Sequence, residues 1–215
     1  MTDRTHFAGD PQLQRARLLD KIAEAAECGV DLVQLREKDL NPRELEQLAR
    51  EAVQIIRSTE PGKGTGHGTR LLINSRTDIA LANGADGVHL RSDDVSPTDA
   101  RRVSQTVLDR ASPVKPSTFL IASSCHSEDE VRAAAAESAD YAVFAPVFEK
   151  KAVSPAGLGA LQRACRYAIP VFALGGVTVE NAESCLQAGA AGIAGIRLFQ
   201  ENRISDVVRR LRGSQ

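Results

Sequence analysis

"VFALGGVTVENAESCLQAGAAGIAGI" (residues 171–196) is the stretch that decides the fold. It opens with a short apolar run and breaks at the paired glycines Gly175 and Gly176. It then continues as a helical stretch, "TVENAESCLQAGA" (178–190), and ends in a second apolar run, "GIAGI" (192–196). Strand, tight turn, helix, strand is the pattern of a parallel βαβ crossover. Both flanking runs are continuously apolar, as expected of parallel strands covered on two faces.

The same alternation extends towards the N-terminus. Further strands are expected at "DLVQL" (31–35), "RLLIN" (70–74), "GVHL" (87–90), "FLIAS" (119–123) and "YAVFA" (141–145). Between them, "PQLQRARLLDKIAEAAECG" (11–29) sets Leu18, Ile22 and Ala25 on one stripe and stops at Gly29. "NPRELEQLAREAVQII" (41–56) starts with Asn41 as cap, Pro42 in the first turn and Glu44 three residues after the cap. "SEDEVRAAAAES" (127–138) starts with Ser127 and Glu130 in capping-box spacing.

Seven strands in βα alternation predict an α/β protein, a closed (β/α)8 TIM barrel of parallel strands forming a single domain over residues 1–215. The eighth strand would have to precede the first helix, where only "MTDRTHF" stands, so strand one is expected to be truncated. An open doubly wound sheet is the runner-up; it would normally carry G-x-G-x-x-G after its first strand, which is absent here. "STEPGKGTGHGTR" (58–70) is dense in glycine but precedes a strand and lacks a closing Lys-Ser/Thr pair, so it reads as a connection.

With 215 residues, 42% hydrophobic and 26% charged, the chain can bury one substantial core in the manner of an ordinary soluble protein. A formal net charge of −1 gives no field to attract nucleic acid or anionic membrane. "MTDRTHFAGD" has no signal or transit pattern and no apolar run reaches membrane length, so a cytoplasmic location is expected. Cys28, Cys125, Cys165 and Cys185 form no C-x-x-C pair and read as reduced structural residues.

Active sites of parallel barrels lie at the C-terminal ends of the strands. Those ends supply Gln34, Arg36 and Lys38, then Asn74 and Ser75, then His89, Arg91, Asp93 and Asp94. They continue with Ser123, Ser124 and His126, then Glu149, Lys150 and Lys151, then Gly175 and Gly176, and finally Arg197. The cations and the glycine pair point to an anionic ligand. Gly175 and Gly176 let a phosphate reach backbone N–H groups, and barrels often hold phosphate at this place. Gln34 and Arg36, two apart in a strand, face one side, which makes Arg36 an anion ligand if that side is the interior. His89 lies inside an apolar run and reads as structural. His6 and His67 carry no case, and Cys125 beside His126 is no dyad, because neighbours in an extended segment point opposite ways.

Five segments together carry a family resemblance: "VQLREKD", "INSRTDIALANGADGVHL", "SSCHSEDE", "ADYAVFAPVF" and "IPVFALGGVTVENAESCLQAGAAGIA". Over residues 30–199 the chain resembles thiamine-phosphate synthase and its relative the thiazole tautomerase. The opening "TDR" resembles the end of that family's first strand. The resemblance implies a role in thiamine biosynthesis and a phosphorylated thiazole as small-molecule ligand. It also implies site residues: Gln34, Arg36, Lys38, Asn74, Asp94, Ser124, Lys150 and Lys151 for substrate, with Gly175, Gly176 and Arg197 for phosphate.

The synthase joins a pyrimidine pyrophosphate to a thiazole phosphate, and its leaving pyrophosphate needs Mg²⁺ on two aspartates and a lysine from a T-x-T-K loop. Hard oxygen ligands suit that ion. Here Ser75 stands at the first aspartate, Asp94 matches the second, Arg91 and Ser92 replace a glycine and a glutamine, and "EKKAV" (149–153) puts Val153 at the lysine.

These departures favour the tautomerase branch, an isomerase that moves a proton on a thiazole carboxylate phosphate with no cofactor. His126 is the expected catalytic shuttle, since imidazole titrates near neutral pH. The alternative is the synthase itself, with Mg²⁺ at Asp94. The second alternative is a non-catalytic thiamine-phosphate-binding protein. No nucleic-acid or membrane partner is expected, and an exposed sheet edge would favour a homodimer.

Overall fold

The computed structural model describes residues 1–59, 68–111, 119–148 and 154–213. Strands and helices alternate: α1 (Pro11–Glu27), β1 (Leu32–Leu35), α2 (Pro42–Ser58), β2 (Arg70–Asn74), α3 (Thr77–Asn83), β3 (Gly87–Leu90), α4 (Pro97–Ala111) and β4 (Leu120–Cys125). The alternation continues through α5 (Glu128–Ala136), β5 (Tyr141–Phe144), α6 (Gly157–Ala164), β6 (Val171–Ala173), α7 (Ala182–Gln187) and β7 (Gly192–Ile193). Two further helices close it, α8 (Arg197–Gln200) and α9 (Ile204–Arg212).

The described chain is therefore an α/β protein with seven parallel strands. The eighth strand of the expected barrel is not found among the described residues. Residues Arg4–His6 form a 3-10 turn instead, capped by the Asp3 side chain. One trace of strand pairing survives beside them, where the Thr2 N–H donates to Gln34 O at 2.9 Å.

By internal contacts the chain divides into two compact units, residues 1–88 with 196–213, and residues 89–195. In the first, β1 and β2 pair parallel from Leu32↔Arg70 to Leu35↔Ile73. Leu18 and Ile22 of α1, Leu35, Leu48 of α2 and Leu71 to Ile73 are almost wholly buried there. In the second, β4, β5, β6 and β7 pair parallel in chain order. Its core includes Ile121, Phe144 and Leu161. The Phe172 ring fills the space above Gly192, where a Cβ would come within 2.7 Å of it.

Local signals explain the element ends. Asn41 caps α2 in a full capping box, accepting from the Arg43 and Glu44 N–H groups while Glu44 reaches back to the Asn41 N–H. Ser127 caps α5 by accepting from the Glu130 N–H, but the Glu130 carboxylate turns to the His126 N–H instead.

At their C-termini α1, α3, α5 and α7 share one turn. A left-handed residue (Gly29, Gly84, Ser138, Gly189) donates three residues back, and the next residue donates five back, as in a Schellman motif. After two of these turns an aspartate locks onto the strand before it. Asp86 donates its N–H to Leu71 O and accepts from the Leu71 N–H at 2.7 Å, and Asp140 does the same with Ile121.

Candidate functional site

In the first unit, a polar chain crosses the ends of β1 and β2. The Gln34 amide donates to Asn74 Oδ1 at 2.8 Å, and the Asn74 amide donates to Ser75 Oγ at 2.9 Å. Gln34 is buried, so it is oriented by Asn74 rather than by water. Ser75 holds φ at +62°, a conformation that costs about 1–2 kcal/mol for a residue with a Cβ and concentrates at functional sites.

The segment after β1 sorts its charges by sequence parity. Glu37 turns inward, with its side chain 1% exposed, and accepts from Thr2 Oγ1 (2.6 Å), the Arg4 N–H (2.9 Å) and Arg4 Nη1 (3.2 Å). Asp39 receives the Arg4 fork at 2.6 and 2.9 Å. Burial pushes the Glu37 carboxyl above its ordinary range, against the lowering pull of the Thr2 hydroxyl and Arg4. The Arg4 hydrogen bond holds the Asp39 carboxyl below its own. Arg36 is half-buried and Lys38 exposed, and among the described residues neither forms an ion pair.

In the second unit, His89 is buried with Nε2 at 2.8 Å from Ser124 Oγ. Its ring meets Tyr141 edge to face, and Tyr141 meets Phe172 likewise. This fits the structural reading of His89, which orients the Ser124 hydroxyl at the end of β4. His126 is exposed, and its Nδ1 stands 2.7 Å from Ala145 O. A carbonyl only accepts, so Nδ1 carries a proton, and in the neutral tautomer of the ring the lone pair is on Nε2. Burial, with Glu130 adding to it, pushes the Cys125 thiol up to about 12. A thiol held there is no thiolate near neutral pH, and a Cys125–His126 dyad is excluded.

The turn after β6 is built from main chain. Gly175 and Gly176 have φ of +93° and +66°. A Cβ on Gly175 would come within 2.7 Å of Pro146, so close approach as well as backbone angle demands glycine. The Gly175 carbonyl accepts from the Phe148 N–H, and the Gly176 carbonyl accepts from the Asn181 amide. Among the described residues, no acceptor takes the N–H of Gly175, Gly176 or Val177. Successive free amides in left-handed turns form a concave anion seat.

Of the other expected residues, Arg197 is exposed and opens α8 in the first unit. Lys150 and Lys151, with Glu149, Val153 and His67, lie outside the described residues. Thr2, Arg4 and Glu37 were not expected at the site. The alternation of signs in "REKD" was the available signal, but their partners lie more than thirty positions apart.

The acidic pair after β3 does not fit a divalent cation. Asp94 Oδ2 accepts from the Arg91 N–H at 2.7 Å, and Oδ1 faces the Arg91 guanidinium at 3.1 Å. Asp93 lies 3.4 Å from Arg91 Nε. Among the described residues, no three His, Cys, Asp or Glu side chains gather as a metal site. No described helix is long and apolar enough to cross a membrane.

Comparison with known proteins gives a consistent result. Residues 6–199 match the family described as thiamine monophosphate synthase. The thiamine-phosphate synthase of Methanoculleus marisnigri is 35% identical over 218 aligned residues, covering 99% of this chain and 92% of that protein. The one from Chlorobium luteolum is 37% identical, covering 82% and 76% respectively. Among solved structures, the thiamine phosphate pyrophosphorylase of Pyrococcus furiosus superposes with a TM-score of 0.76 at 25% identity, covering 99% of this chain and 92% of that one. The two sequence relatives are named as synthases and the solved structure as a pyrophosphorylase. The expected placement in the tautomerase branch, with its isomerase activity, is not supported by them.

Proposed function

The chain belongs to the thiamine monophosphate synthase family, and from that premise we propose that it is a transferase of thiamine biosynthesis, joining a pyrimidine pyrophosphate to a thiazole phosphate with release of pyrophosphate. One observation carries the proposal: the free amides of Gly175, Gly176 and Val177, which suit a monophosphate. A seat of main-chain donors fixes the phosphate without a mobile side chain, and so positions the attached ring.

The remaining residues take roles consistent with their chemistry. Arg36 and Lys38 hold unneutralised positive charge for an anion. Gln34, Asn74 and Ser75 present a hydrogen-bonded edge to a heterocycle. Ser124, oriented by His89, offers a hydroxyl. The synthase family in general uses Mg²⁺, but Ser75 brings no charge and Asp94 is engaged by Arg91, so no step is routed through a metal here.

Those same two features favour a second reading, a metal-independent isomerase in which His126 Nε2 accepts and returns the proton. Coupling and aromatisation assays run side by side, each with Mg²⁺ and with EDTA, separate the two. The transferase reading expects thiamine phosphate from the two phosphorylated substrates. No product at saturating substrate and Mg²⁺ overturns it. Aromatisation in EDTA, lost in His126→Gln while ligand binding is kept, would establish the isomerase.

A further inference from the structure

We propose that Arg4, remote in sequence from the segment after β1, is a positioning residue that frees Arg36 and Lys38 for an anionic substrate by taking up the carboxylates of Glu37 and Asp39. The inference rests on the anion role given to Arg36 and Lys38 above, and its test separates the two.

"REKD" (36–39) is a self-neutralising run: each cation is followed by an acid. Left to itself in water, such a run pairs locally, and an incoming anion must compete with carboxylates held at fixed high effective concentration. That pairing is absent. Both acids are turned onto one guanidinium, Glu37 through Nη1 at 3.2 Å and Asp39 through both prongs at 2.6 and 2.9 Å. The Arg4 side chain is 9% exposed, so the arrangement is built in rather than a chance surface contact.

Thr2 completes it by accepting from the Arg36 N–H at 2.9 Å while donating to Glu37 at 2.6 Å. Each residue of the loop is thereby assigned: odd positions face Arg4, even positions keep their charge. Asp39 matters most, because its side chain is 55% exposed. Released from Arg4, it can swing to Lys38 or Arg36.

The test is calorimetric titration of the full chain with inorganic pyrophosphate at low ionic strength. Arg4→Met is expected to weaken binding by roughly tenfold, one charge-assisted contact. Adding Asp39→Asn to Arg4→Met is expected to restore affinity to within about twofold, because the competing carboxylate is gone. A purely structural role for Arg4 predicts no such rescue, so a double variant as weak as Arg4→Met overturns the proposal. Arg4→Gln removes the charge but keeps hydrogen bonding, and is expected to match Arg4→Met should the latter not fold. Full affinity in an Arg36→Met chain overturns the anion role of the loop itself. Lost affinity in Arg36→Met beside full affinity in Arg4→Met overturns the charge sorting alone.

Discussion

The segment after β1 and the turn after β6 both suit an anion, and they do so by opposite means. The first offers side chains, Arg36 and Lys38, beside carboxylates that Arg4 takes up. The second offers only main-chain amides, shaped by two left-handed glycines. Side-chain charge acts at a distance and tolerates small displacements, but it is screened by salt. Amides act at contact, carry no net charge, and fail if the backbone shifts by a few tenths of an ångström.

The largest expected effect comes from breaking the main-chain seat. Gly175→Ala puts a methyl within 2.7 Å of the Pro146 Cα and Cβ atoms, at a φ of +93°. The backbone must move, and the amides move with it. Affinity for a thiazole phosphate, measured by titration, is expected to fall on the order of a hundredfold, the loss of two or three hydrogen bonds to a charged group. Retained affinity would mean that the phosphate is held elsewhere.

A salt series sharpens the contrast with a smaller effect. Raising ionic strength from about 0.05 to 0.5 M is expected to cost roughly tenfold in pyrophosphate affinity. Inorganic phosphate at the glycine turn is expected to change by less than about twofold, since neutral donors hold it. Equal salt dependence for the two probes would erase the distinction between the regions.

A third test uses pH and the two carboxylates under Arg4. The Glu37 carboxyl sits above its ordinary range because of burial, so the native chain binds that proton more tightly than the unfolded one. Its contribution to stability therefore falls as pH rises from the unfolded value, about 4.3, through the folded value. Asp39 has the opposite sign: held low by Arg4, it contributes stability above its unfolded value and loses it as pH falls. Glu37→Gln should make the slope of unfolding free energy against pH more positive just above the unfolded value of about 4.3, by less than one proton per chain. An unchanged slope would show that burial is not what governs Glu37.

Much of this was legible in the amino-acid order. Short, largely apolar runs marked all seven strands, and the Asn41–Pro42–Glu44 signature marked the start of α2, because these are short-range signals. β6 and β7 came out shorter than their apolar runs: regular pairing ends at Ala173 and Ile193, and Leu174 and Ala194 each add one more backbone bond, to Phe144 O and Ala173 O. The charge sorting around Arg4 was hidden by distance: Thr2 and Arg4 meet Glu37 across 35 and 33 positions. "TDR" and "REKD" carry no local sign of needing each other. Likewise, Arg91 was read as a replaced glycine, and only the folded loop shows it spanning Asp93 and Asp94.

The shared helix-to-strand turn was present in the sequence as "CGVD", "NGAD", "ESAD" and "AGAA" but was not recognised as a repeat. It supports the smallest prediction. Three of the four turns place glycine at the left-handed position, and the fourth places Ser138 there with φ of +61°. Ser138 makes the same backbone bond as the glycines do, to Ala135 O at 3.2 Å, and its carbonyl accepts from Arg101. Among the described residues, no hydrogen bond uses its hydroxyl, so the side chain contributes strain without a compensating hydrogen bond. Ser138→Gly is expected to stabilise the chain by about 0.5–1 kcal/mol, the usual cost of a Cβ in this region less the entropy that glycine adds to the unfolded state. For a chain of this size that corresponds to roughly 1–4 °C in Tm. Affinity for a thiazole phosphate should stay as it was, because the turn precedes the N-terminal end of β5, whereas the glycine turn follows the C-terminal end of β6. A lower Tm would show that the left-handed serine is supported by something other than its backbone.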